Sequence, residues 1–146
     1  MKLPNPFDAY VKKKTLRKIS VDKSRSAFLV ESAQTSLEGL NEIIEKIGIN
    51  DKNANSIVKD SYDIVMSLIR AKLLLEGYTA SGQHSHEAEV SYLKKLDFPD
   101  SEVSFLNELR YSRNSVSYYG KILDKEYANK TFEFLNKIYP KLKKLV

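Results

Sequence analysis

The chain has 146 residues, 24 basic and 19 acidic side chains for a net charge of +5, and no cysteine. That length suits one domain able to bury its own core, and the lack of cysteine excludes disulfides, thiolate nucleophiles and cysteine-bound zinc. No run approaches the roughly 20 apolar residues of a membrane span, and the opening MKLPNPFDAYVKKK has no apolar stretch of the signal-peptide kind, so the expectation is a soluble protein of the reducing cytoplasm.

Residues 1–19 read as a basic N-terminal segment holding a short helix, with Pro6 suited to its first turn. Residues 20–146 read as a helical bundle. Its first long helix runs from Ser20, a candidate N-cap, to Gly48, a candidate stop. Phe28, Leu29, Ala33, Leu37, Leu40, Ile43, Ile44 and Ile47 recur along it at three- and four-residue steps and form the expected buried stripe. After the polar turn at residues 50–56, IVKDSYDIVMSLIRAKLLLEG is a helix that is apolar over a wide arc and should be the most buried. GYTASGQHS reads as a loop and SHEAEVSYLKKL as a short crossover helix. Asp100 is placed to cap SEVSFLNELRYSRNSVSYY, which Gly120 ends. Asp124 opens the last helix, where Tyr127, Phe134, Leu135, Ile138, Leu142 and Leu145 form a stripe and Pro140 is placed to kink or interrupt it. The fold class is all-α: an up-and-down bundle of four long helices, a short crossover helix and an N-terminal helix. No period-two strand pattern stands out.

Charge is uneven. Residues 1–25 carry eight basic side chains against Asp8 and Asp22, and residues 137–146 carry four lysines and no acid. Such ends suit solvated helix termini, and if they share a face they suit an acidic partner or nucleic acid. The chain lacks a phosphate-binding glycine loop and a dinucleotide glycine fingerprint. His84 and His86 stand two apart on a loop, where a pair can pinch a metal, but no third ligand follows from the pattern, so no metal or cofactor is expected.

The stretch ELRYSRNSVSYYG (108–120) carries the sharpest chemistry. On a helix, Arg110, Asn114 and Ser117 fall near one line, and Arg113, Ser117 and Tyr118 near the next. An arginine one turn before a proton-transferring group can hold a phosphate while the second group moves a proton. Each residue also has a plainer reading. Arg113 can pair with Glu108 or Asp124, Tyr118 and Tyr119 can pack in a core or a dimer seam, and Asn114 can be an ordinary polar helix residue. Tyr62 and Asp63, near the start of the third helix, can line a cleft; their plainer reading, and the favoured one, is as ordinary surface positions.

The order of helices, the long helix SYDIVMSLIRAKLLLEGYTASG, the crossover HSHEAEVSYL and the Arg113–Asn114 pair resemble the HEPN superfamily (higher eukaryotes and prokaryotes nucleotide-binding) over roughly residues 20–145. The resemblance implies a homodimer in which motif arginines and histidines from two chains share a cleft, and metal-independent RNA cleavage in active members. It also implies, for many members, a toxin–antitoxin pairing with a nucleotidyltransferase-type protein. This chain departs from the pattern at the histidine, since Tyr118 or Tyr119 stands there. Tyrosine titrates near 10 and is a poor base at pH 7, and loss of a general acid–base costs about 10²–10⁴-fold. The resulting expectation is a binding module for a nucleotide, RNA or protein partner, without ribonuclease activity, using Arg113, Asn114, Ser117 and Tyr119, with Arg113 and Tyr118 as the remnant of the catalytic pair. The alternatives are an active endoribonuclease toxin and a purely structural helical dimer.

Overall fold

The computed structural model describes residues 2–119 and 122–146, with the side chains of residues 115–119 outside that description. Its elements are α1 (Phe7–Lys12), β1 (Leu16–Lys18), α2 (Lys23–Ile47), α3 (Ala54–Leu75), β2 (Tyr78–Ala80), α4 (Ser85–Lys95), α5 (Asp100–Tyr119) and α6 (Lys125–Lys143). The all-α bundle expected from the apolar spacing is the architecture observed. Helix α3 is its axis: α2 and α6 pack along it, and α4 and α5 pack against it and each other. Tyr62, Met66, Leu68, Ile69 and Ala71 of α3 are fully buried. Its partly or wholly exposed positions before the last turn include Ser56, Asp60, Asp63, Ser67 and Arg70, which recur at three- and four-residue steps and so share one line on the helix.

The N-terminal segment is part of the core, with Phe7, Tyr10 and Leu16 buried. Helix α1 is only six residues long. Residues 16–18, expected to be irregular or helical, instead pair antiparallel with residues 78–80, expected to be loop. Strands of three residues, with only Leu16 of β1 buried, are too short to show a two-residue period. Gly77 makes the turn from α3 into β2 at φ +79°, and a Cβ there would lie 2.9 Å from the Ile19 carbonyl oxygen.

The start of α2 is set by Asp22, whose side chain accepts the Arg25 N–H at 3.0 Å, and not by Ser20. The reason lies in the preceding backbone: Ile19 N–H donates to the Gly77 carbonyl and Asp22 N–H to the Leu74 carbonyl, which holds residues 19–22 extended along the end of α3. The buried line of α2 also differs from the expected stripe. Ser26, Ala33 and Leu40 are buried, flanked by half-buried Val30, Leu37 and Ile44, while Phe28, Ile43 and Ile47 are exposed. Helix α2 packs chiefly on α3, so it buries a narrow seam. Ser26 lies within the seam because its hydroxyl donates to the Ala71 carbonyl at 2.8 Å.

Asp100, expected as a cap, is the first residue of α5, and its carboxylate is held by Lys94. Gly120, expected to end α5, lies outside the described residues. Helix α6 begins as expected, with Asp124 accepting the Tyr127 N–H at 2.9 Å. It continues through Pro140 without ending, because Pro140 is exposed and solvent can satisfy the carbonyl left without an N–H.

Gly77→Ala is expected to lower unfolding free energy by about 1–2 kcal/mol or more, since it forces a left-handed Cβ onto a carbonyl. Phe28→Ser should change it by no more than about 0.5 kcal/mol. Urea denaturation of both variants tests this.

Candidate functional site

Arg113 projects from the later half of α5 toward the first half of α3. Its Nε lies 3.3 Å from Asp63 Oδ1, without hydrogen-bond geometry, and that buried nitrogen has no hydrogen-bond partner among the described residues. The guanidinium carbon stands 5.8 Å from the centre of the Tyr62 ring. The expected ion pairs to Glu108 and Asp124 are replaced by this contact, because Glu108 instead accepts the Tyr127 hydroxyl at 3.1 Å and Asp124 caps α6. Tyr62 and Asp63 are not ordinary surface positions: Tyr62 is fully buried and Asp63 is half-buried. Both lie beside α5, which the periodicity of α3 alone does not reveal.

The Tyr62 hydroxyl is 3.3 Å from His86 Nδ1, in the first turn of α4. The other imidazole nitrogen, Nε2, is 3.5 Å from Arg70 Nη2. Arg70 in turn grips Glu89 with two bonds, Nε to Oε2 at 2.6 Å and Nη2 to Oε1 at 3.1 Å. A guanidinium can only donate, so His86 Nε2 is the bare nitrogen and Nδ1–H donates to the Tyr62 oxygen. Burial pushes the His86 pKa below its ordinary value; Glu89 and Asp63 oppose this, and Arg70 and Arg113 add to it. The imidazole is therefore neutral at pH 7. Burial and then Glu89 raise the Tyr62 pKa, while Arg110, Arg70 and Arg113 pull it the other way. Three guanidinium groups from two helices thus act on one buried phenol.

Arg110 is oriented by Asn107, whose Oδ1 accepts from Nε at 3.2 Å, and by the Tyr111 ring 4.4 Å away. The strap at the N-terminus reaches the same place: Asn107 Nδ2 donates to the Lys2 carbonyl, and Lys2 Nζ sits 4.8 Å over Tyr111. Tyr10 of α1 completes the rim. Its hydroxyl is pushed up to about 12 by burial and then by Glu87.

Of the residues singled out in the sequence, Arg113 lies in this cluster and Asn114 is half-buried beside it in α5. Ser117, Tyr118 and Tyr119 belong to α5, but their side chains lie outside the described residues. His84 and His86 diverge, with His84 Nδ1 3.5 Å from Glu87. Among the described residues no three histidine, aspartate or glutamate side chains are grouped to hold a metal ion, and no helix is long and apolar enough to cross a membrane. Arg70 and Glu89 escaped the sequence reading. Their one signal was Arg70, on the sparse polar line of an otherwise apolar helix. Chemically, the cluster presents excess positive charge and a neutral imidazole in a partly buried setting, conditions that strengthen the hold on an oxyanion. In comparisons with family models, curated proteins and solved structures, nothing matches this chain.

Two outcomes test the cluster. A histidine whose pKa is lower in the folded state makes stability rise with pH. Stability should therefore fall as pH drops below about 6.5, and His86→Gln should flatten that slope between about pH 5 and 6.5, read by thermal melts. Arg70→Met leaves the buried Glu89 carboxylate without its partner. It should cost about 2 kcal/mol, less than for a wholly buried pair because Arg70 is partly solvated, read by chemical denaturation.

Proposed function

We propose that the chain is a HEPN-like binding module for a phosphate-bearing partner, RNA or a nucleotide, that engages it through Arg113 and lacks ribonuclease activity. The observation that carries this reading is the Arg113 guanidinium, poised over Tyr62 with a buried Nε that makes no hydrogen bond among the described residues. Arg70 and Arg110 reinforce the same spot electrostatically. Among the described residues Asp63 is the one carboxylate within ion-pair distance of Arg113, and it is partly solvated, so a phosphate with more acceptors can displace it. The HEPN-like reading brings two protein partners with it: a second copy of the chain that doubles the arginine cleft, and a nucleotidyltransferase-type protein.

One observation favours a second reading, a metal-independent endoribonuclease. His86 supplies a neutral imidazole from α4, in electrostatic reach of Arg113, where the α5 motif has tyrosine.

Fluorescence anisotropy with a short single-stranded RNA tests the proposal. The intact chain should bind with an affinity that falls as salt rises. Arg113→Ala should weaken binding at least tenfold, about 1.4 kcal/mol, and Asp63→Asn should tighten it. RNA incubated with the protein in EDTA should stay intact; cleavage lost in both Arg113→Ala and His86→Ala would establish the second reading. No salt-dependent binding, or binding indifferent to Arg113→Ala, would leave a structural bundle. Sedimentation analysis checks the dimer.

A further inference from the structure

Arg70 has a second aspect. Besides meeting His86 and Glu89, it lines a half-open cavity of about 290 Å³ between α2, α3 and β2, together with Arg25, Leu29, Leu73, Leu74, β2 and Glu89. That volume lies at the lower edge of ligand cavities, which run from roughly 300 to 1,000 Å³, and suits one ring with one phosphate better than a dinucleotide.

The walls differ in chemistry. Three leucines form an apolar side. Arg25 and Arg70 bring two positive charges against the single carboxylate of Glu89, and both oxygens of that carboxylate are engaged by Arg70. The Nη1 group of Arg70 has no hydrogen bond among the described residues, so the buried Glu89 aims a guanidinium that still has donors to offer. The third wall is the outer edge of β2. Ile19 N–H donates to the Gly77 carbonyl and Ser81 N–H to the Thr15 carbonyl, which with the register Arg17↔Thr79 makes residues 77, 79 and 81 the hydrogen-bonded positions. The N–H and C=O groups of Tyr78 and Ala80 therefore point away from β1. They offer two donors and two acceptors beside an apolar surface, a combination that matches the edge and face of a nucleobase.

We infer that this cavity is a nucleotide pocket, holding a base against the leucines and the free edge of β2 and its phosphate against Arg25 and Arg70. The ligand is either a free nucleoside monophosphate or the terminal nucleotide of an RNA strand. The inference adds to the function proposed above through the shared Arg70, but it stands apart from it because Arg113 does not line this cavity.

Calorimetric titration of the full chain with AMP, GMP, CMP and UMP tests it, with adenosine, ribose 5-phosphate and inorganic phosphate as controls. At least one nucleoside monophosphate should bind at least tenfold more tightly than every control. Arg25→Ala, at an exposed position, and Leu29→Trp, which fills the cavity, should each weaken that binding at least tenfold, with folding checked by circular dichroism. Arg113→Ala should leave it within twofold. Absence of binding by all four, equal binding of inorganic phosphate, or binding untouched by Arg25→Ala and a folded Leu29→Trp would each overturn the inference. Mononucleotide binding that Arg113→Ala leaves unchanged, without RNA binding, would keep the pocket and sink the Arg113 reading. If the mononucleotide competes with labelled RNA, the occupant is an RNA end; if it does not, the occupant is the free nucleotide.

Discussion

The constraint on which this molecule turns is the burial of α3. A central helix packed by α2, α4, α5 and α6 has almost no surface left for polar side chains. Between its first and last turns, what remains besides the exposed Lys59 is one line, Asp60, Asp63, Ser67 and Arg70. The groups on that line are only partly hydrated, so each must find a partner or wait for one. Asp63 takes Arg113. Arg70 takes Glu89. Burial raises the Asp60 carboxyl above the usual range, against the pull of Lys59. A groove lined by Asp60, Asp63 and Ser67 on one side and by Ser32, Ser36 and Gly39 of α2 on the other runs along that line.

The polar chain Glu89–Arg70–His86–Tyr62 follows from that geometry. Glu89 is 4 % exposed, too buried to stand alone, and the two bonds from Arg70 fix the guanidinium as well as neutralising the carboxylate. The fixed guanidinium selects the histidine tautomer, and the tautomer decides which way the Tyr62 hydroxyl is approached. Order therefore passes from an ion pair between α3 and α4 to the ring beneath Arg113. That is the pre-organisation a phosphate site needs.

The bundle was legible in the sequence because its helices are long and their apolar steps regular; the caps at Asp124 and Gly48 and the deep burial of α3 were read from the same pattern. The parts that were not legible have specific causes. The β1–β2 pair joins segments about sixty residues apart and is too short to leave a period. The seam of α2 runs through Ser26, Ala33 and Leu40 because α3 is the main element covering that helix, and the isolated helix pattern, with Phe28 and Ile47 on offer, cannot reveal how many neighbours there are. Arg113 stood out because it sits in a local motif. Its companions Tyr62, Arg70, His86 and Glu89 come from two other helices, and no local spacing joins residues that meet only after the chain has crossed itself twice. The alternation of buried and solvated positions in α3 did contain a clue: a lone arginine among leucines and isoleucines is costly unless something buried answers it.

Helix α5 is tied down along its length, with Leu106 and Leu109 fully buried. Its first turn holds the buried Glu102, gripped by Lys141 of α6 with Lys137 nearby, and Asp100, gripped by Lys94 of α4. Arg113 lies eleven residues further on, about 16 Å along the axis. Between the two, Glu108 and Ser112 both bond the Tyr127 hydroxyl of α6. The stem that carries the guanidinium is therefore braced at its foot and again within one turn of Arg113, so the helix offers an oxyanion a fixed support and leaves only the side chain to adjust.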